Sequence, residues 1–156
     1  MRGNDKIIAT LNTLLAEELT AISEYMVQSE MCDNWGYEAL HKAIERVAVD
    51  EMKHAEKLIA RILFLDGMPV VSKLNPMKFG KDVKGIIETQ LAAELAAIAA
   101  YNAGIKQAAD LQDAGSRELL NHILQDEERH LDWLEAQRDQ IAQMGIQNYL
   151  SLQVKA

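Results

Sequence analysis

Glu-x-x-His occurs twice in this chain, as Glu51-x-x-His54 and Glu127-x-x-His130. Each copy follows a lone Glu in a Leu-Ala-x-Glu-Leu-x-Ala-Ile frame: Glu18 within Leu15–Ile22 and Glu94 within Leu91–Ile98. The separations agree, since Glu51 follows Glu18 by 33 positions and Glu127 follows Glu94 by 33. Residues three apart on a helix share a face, so each Glu and its His point the same way. Four carboxylates and two imidazoles at this spacing suggest two metal ions held inside a four-helix bundle. Two divalent cations balance four carboxylate charges, which makes such a cluster tolerable when buried. Oxygen and imidazole ligands admit Fe, Mn or Zn. Two shared Glu, with one His and one further Glu per ion, leave coordination positions open, which suits oxygen or peroxide activation on a redox metal.

The repeat also decides between neighbouring acids. Glu17 pairs with Ala93 and Glu128 with Met52, so Glu18 and Glu127 are the candidates. Asp50 and Asp126 precede the ligand Glu in both copies. They read as acceptors for the far nitrogen of a ligand His, fixing its tautomer. Tyr25 and Tyr101 lie about two turns past Glu18 and Glu94 and should face the site, as hydrogen-bond partners or one-electron donors. Tyr25 is counted among the reacting residues. A single Glu-x-x-His would be an ordinary solvated helix pair. Trp133 reads as core, and His41 and His122 as ordinary helix residues.

Four long helical patterns must carry these groups. They run from about Asp5 to Asn34, Tyr37 to Leu65, Asp82 to Asp110 and Ser116 to Met144, with a short fifth over Ile146–Val154. Breaks at Gly36 and around Asp113-Ala114-Gly115 imply two antiparallel hairpins, and Ser116 is the expected N-cap of the fourth helix. The hairpins are internal repeats: Leu15–Tyr25 matches Leu91–Tyr101 at seven of eleven positions. Between them lie the 16 residues Asp66–Lys81, which hold both prolines. A helix of about 28 residues is about 42 Å long. Sixteen extended residues reach about 50 Å. The link can therefore run the whole bundle length, as one long crossover.

Composition excludes other classes. Hydrophobic residues make up 49% of the 156 and aromatics only 5%, in a chain rich in good helix formers. This favours an all-α domain spanning 1–156. The net charge of −8 opposes nonspecific nucleic-acid binding and favours attraction of cations. Cys32 is the only cysteine, so no intrachain disulfide or cysteine cluster forms. No long apolar run predicts a membrane span, and the N-terminus does not read as a signal peptide. The expected compartment is the cytoplasm.

At these residues the chain resembles bacterioferritin, within the ferritin-like superfamily. The paired Glu-x-x-His arrangement is already known from ferritin-like di-iron and di-manganese bundles. The resemblance covers nearly the whole length. It includes Asn34-Trp35-Gly36, Asp50–Ala55, Arg61–Leu65, Asp126-Glu127-Glu128, Met144-Gly145 and Gln147–Leu150. Animal-type ferritins do not have the second His ligand, whereas this chain has both His54 and His130. Rubrerythrins need a cysteine-ligated iron domain that one Cys cannot supply.

The resemblance implies a ferritin-like four-helix bundle with one long crossover and a short fifth helix. It implies a hollow 24-subunit homo-oligomer that oxidises Fe(II) with O2 or H2O2 and stores ferric mineral, with a ferredoxin-type reductant for iron release. Carried over, Glu18 and His54 bind one iron, Glu94 and His130 the other, and Glu51 and Glu127 bridge. It also implies heme b (haem) shared between two subunits, with Met52 as axial ligand and Leu19, Ile22 and Met26 as apolar contacts. Some members have a further iron site on the cavity wall, built with a His and an Asp. Here Asp50 is present but Arg46 stands where that His would be, so this inner-surface site is not expected to be complete. The competing readings are another di-metal oxidoreductase on the same bundle and a mainly haem-binding shell.

Overall fold

The computed structural model describes residues 1–156. It contains α1 (Asp5–Asn34), α2 (Glu38–Phe64), α3 (Val83–Asp110), α4 (Ala114–Met144) and a short α5 (Ile146–Ser151). The expected all-α architecture is the one observed. The fifth helix stops three residues short of Val154.

Local chemistry sets the helix ends. Asn4 Oδ1 accepts from Lys6 N at 2.8 Å, capping α1. Asp82 Oδ1 accepts from Gly85 N at 2.7 Å, capping α3. Satisfying an orphan first-turn N–H in this way stabilises a helix by about 1 kcal/mol. The expected cap at Ser116 is corrected to Asp113, whose Oδ1 accepts from Ser116 N at 3.0 Å. Asp113 also binds the Ser116 hydroxyl and the Arg61 guanidinium, so α2 anchors the start of α4.

One hairpin turn falls at the expected glycine and the other does not. Helix α1 ends at Asn34; Gly36, two residues on, has a left-handed φ of 86°, and Tyr37 N then bonds back to Cys32 O at 2.9 Å. The corresponding residue after α3 is Gln112, with φ 58°, not Gly115. Gly115 lies inside α4, where a Cβ would come within 2.6 Å of the Arg61 guanidinium. Its missing side chain gives Arg61 room.

Helices α1 and α2 form one hairpin and α3 and α4 the other, joined face to face through α1–α3 and α2–α4 contacts. Thr10 meets Gln107 and Tyr101 meets Glu18, so α1 and α3 are antiparallel. The link between hairpins climbs α1 as a strap. Val70 N bonds to Asn12 Oδ1, Asn75 N to Thr20 Oγ1, Lys78 N to Glu24 Oε2 and Gly80 N to Gln28 Oε1, at 2.8 to 3.1 Å. The long crossover is thus held by α1 side chains along its length.

The apolar core comes in two parts. One joins Leu11, Leu15, Leu58, Ile62 and Ile123 near one end of the bundle. The other joins Leu40, Ile44, Ile86, Leu134 and Tyr149 near the other end. Each fully buried Leu or Ile contributes about 1.5–3 kcal/mol of transfer free energy. Those two layers offset the cost of the polar belt between them.

Candidate metal centre

That belt contains all six repeated residues. Glu18, Glu51, His54, Glu94 and Glu127 are at most 2% exposed, and His130 is also buried. Each hairpin contributes one Glu from its first helix and a Glu-x-x-His pair from its second. The His54 and His130 rings lie 6.3 Å apart, centre to centre.

Two overlapping clusters emerge. Glu18, Glu51, His54 and Glu127 can converge on one point, and Glu51, Glu94, Glu127 and His130 on another. Glu51 and Glu127 belong to both. His54 Nδ1 lies 3.6 Å from Glu18, 3.5 Å from Glu51 and 3.0 Å from Glu127. His130 Nδ1 lies 3.3 Å from Glu51, 3.5 Å from Glu94 and 3.9 Å from Glu127.

The outer contacts cross between hairpins. His54 Nε2 meets Asp126 Oδ2 at 2.8 Å, and His130 Nε2 meets Asp50 Oδ2 at 3.0 Å. With Nε2 engaged by a carboxylate, Nδ1 is the nitrogen that faces the cluster. The Tyr25 hydroxyl donates to Glu94 Oε1, and the Tyr101 hydroxyl donates to Glu18 Oε1 at 2.5 Å. Every such contact has its twin with the hairpins exchanged, so the site has an internal pseudo-twofold axis.

Burial and mutual proximity shift the acids and imidazoles of the cluster strongly. Burial raises Glu18 and Glu127, raises Glu51 to about 7 and raises Glu94 to about 8. Burial pushes His130 down, but the nearby Glu51 and Glu94 carboxylates outweigh it and hold the ring up at about 11. His54 is raised against burial by Glu127, Glu18 and Glu51. Burial and the Glu94 charge push the Tyr25 phenol up, so it stays a donor. Glu18 Oε2, Glu51 Oε1, His54 Nδ1, Glu94 Oε2, Glu127 Oε1 and His130 Nδ1 are all buried without a hydrogen-bond partner. Each of the six residues thus contributes an unpartnered atom. Buried polar groups are normally satisfied, so these orphans fit metal ligands.

A ferritin-like domain family model matches residues 8–144. A bacterioferritin from Brucella melitensis is 37% identical, with 96% of this chain and 92% of the relative covered. Bacterioferritins from Rhodobacter capsulatus and Mycobacterium bovis are 37% and 36% identical, with 97% and 96% of this chain and 94% of each relative covered. The chain belongs to the bacterioferritins of the ferritin-like family.

Within this bacterioferritin, other singled-out residues fall as follows. Met52 is 44% exposed on α2, turned away from the cluster that its neighbour Glu51 enters. Arg46 is exposed, and Asp50 is engaged with His130. Trp133 is half-buried against the second apolar layer. His41 bonds to Ser29 O at 3.0 Å, and His122 is exposed. No helix is long and apolar enough to cross a membrane. Sequence reasoning passed over Glu17, which lines a cavity beside the cluster. The available signal was a carboxylate standing where the repeat has alanine.

Proposed function

We propose that this bacterioferritin is an iron-storage subunit whose buried cluster oxidises Fe(II). The observation that carries this reading is the unpartnered atom on each of Glu18, Glu51, His54, Glu94, Glu127 and His130. Fe(II) is the substrate. Glu18 and His54 hold one ion, Glu94 and His130 hold the other, and Glu51 and Glu127 lie between them. Two Fe(II) together supply the two electrons that reduce one H2O2 to two hydroxides; O2 is the alternative acceptor. Tyr25 and Tyr101 each hold one oxygen of Glu94 and Glu18, which fixes how those carboxylates sit in the cluster. Asp126 and Asp50 keep the imidazoles in the ligating tautomer. The family supports assembly into a homo-oligomeric 24-subunit cage in which ferric mineral collects. A ferredoxin-type reductant for iron release rests on family resemblance alone.

The test is the initial rate of Fe(II) oxidation in Glu18→Ala and His130→Ala. Both should fall well below wild type, and near wild-type rates would sink the assignment. Finding manganese rather than iron in a small, uncaged particle would favour a different di-metal oxidoreductase.

Haem is a second proposed ligand. The donor chemistry fits: Met52 presents an exposed thioether, and Met26 is 53% exposed on α1, with Leu19 and Ile22 half-buried on the same helix. Met52 from each of two subunits would hold the iron of a haem b. That haem would supply one-electron chemistry. A haem spectrum unchanged in Met52→Ala would exclude Met52 as the residue that holds the haem iron.

A further inference from the structure

We propose that Glu17 is the capture carboxylate for divalent cations entering the site, through a cavity between α1, α3 and the strap. This inference rests on reading the six-residue cluster as a metal site.

The cavity measures about 220 Å³. Its floor includes Glu18, Glu51, Glu94 and Glu127, so it reaches the cluster directly. Strap residues Asn75 and Pro76 form part of its rim. The hydrogen bond from Asn75 N to Thr20 Oγ1, 2.9 Å, fixes that part of the strap against α1.

The two helical walls are repeats of one another, yet they differ where they line this space. Helix α1 places Glu17, Thr20 and Glu24 there. The matching positions on α3 are Ala93 and Ala96, which line the cavity, and Ala100, which does not. Alanine on one wall leaves the room, and carboxylates on the other give it charge. The pseudo-twofold symmetry of the ligands is therefore broken in the approach to them.

The two wall acids are not equivalent. Glu24 Oε2 accepts from Lys78 N at 3.0 Å and so helps hold the strap. Glu17 Oε2 is buried and has no hydrogen-bond partner. A desolvated carboxylate oxygen without a donor is unfavourable, and a passing cation satisfies it. Negative charge in a cleft with low-dielectric walls also concentrates counter-ions and raises their association rate. A hydrated cation can exchange water for the Glu17 oxygen before meeting Glu18, the next residue in the chain.

Stopped-flow mixing of metal-free full-length protein with Co(II) reads this step through the visible spectrum of the bound ion. Glu17→Gln should slow association about tenfold. The final spectrum and stoichiometry should match wild type, because Glu17 is absent from both ligand clusters. Glu88→Gln, at an exposed carboxylate on α3, should bind at the wild-type rate. A wild-type rate in Glu17→Gln would overturn the proposal. So would an equal slowing in Glu88→Gln, which would indicate net charge alone. If wild type itself gives no bound Co(II) spectrum at equilibrium, the metal-site reading fails and this inference falls with it. That outcome is separable from failure of the inference alone, which leaves the equilibrium spectrum intact.

Discussion

His54 Nε2 lies 2.8 Å from Oδ2 of Asp126, a residue of the opposite hairpin. The imidazole on α2 is thus oriented by a carboxylate on α4, and His130 is oriented by Asp50 in the reverse sense. The two hairpins are coupled through the carboxylates that orient each other's imidazole. Packing them together and preparing the site are the same event.

Asp126→Asn should therefore weaken binding at the His54 side although Asp126 is no ligand. Losing such a partner lowers metal affinity about 10- to 100-fold. A Co(II) titration should show one weakened site and one close to wild type. Equal weakening of both, or of neither, would refute the tautomer role.

The shared carboxylates predict a difference in stoichiometry. Glu18 belongs to one cluster only, whereas Glu51 belongs to both. Glu18→Ala should leave about one tight divalent ion per subunit, by the linkage of ligand count to site identity. Glu51→Ala should weaken both sites together. Equilibrium dialysis with metal analysis separates these outcomes, and identical stoichiometry in the two variants would contradict the bridging assignment.

Metal-free protein should lose stability as pH rises from about 5 to 8. Glu51 is raised to about 7 and Glu94 to about 8 from an ordinary 4.5, so the folded state holds protons that the unfolded chain has released. Stability from these groups is complete below pH 4.5 and is lost as pH climbs through 7 to 8. His130, raised to about 11, acts in the same direction above its ordinary 6.5. Divalent metal replaces those protons, so the gain in Tm on adding metal should grow across this range. Thermal melts with and without Co(II) at several pH values measure it, and a pH-independent gain would argue against the cluster as the binding site.

Gly80→Ala should destabilise the fold by about 3 kcal/mol or more, as strong overpacking does. A Cβ there would lie 2.1 Å from Ile86 N and 2.3 Å from Gly85 C, both backbone atoms that cannot turn aside. The strap could not then enter α3 as it does. Chemical denaturation reads the change, and a loss below about 1 kcal/mol would mean that the strap end yields easily.

The sequence alone determined the helices, the hairpin repeat and which faces carry Glu18, Glu51, His54, Glu94, Glu127 and His130. Helical periodicity is a local property, and a repeat within one chain compares like with like. The length of Asp66–Lys81 likewise limited how far apart the hairpin ends could lie. Only the tertiary structure decided which residues meet across helices. Asp126 pairs with His54 and Tyr25 with Glu94 because the hairpins face each other antiparallel, and the spacing along a single helix carries no record of its neighbour. The start of α4 moved from Ser116 to Asp113 for the same reason, since Arg61 of α2 holds the capping carboxylate. The role of Glu17 also depended on the fold. Beside Glu18 it was a spare acid, until α3 set its alanines opposite and left the carboxylate at the edge of a cavity.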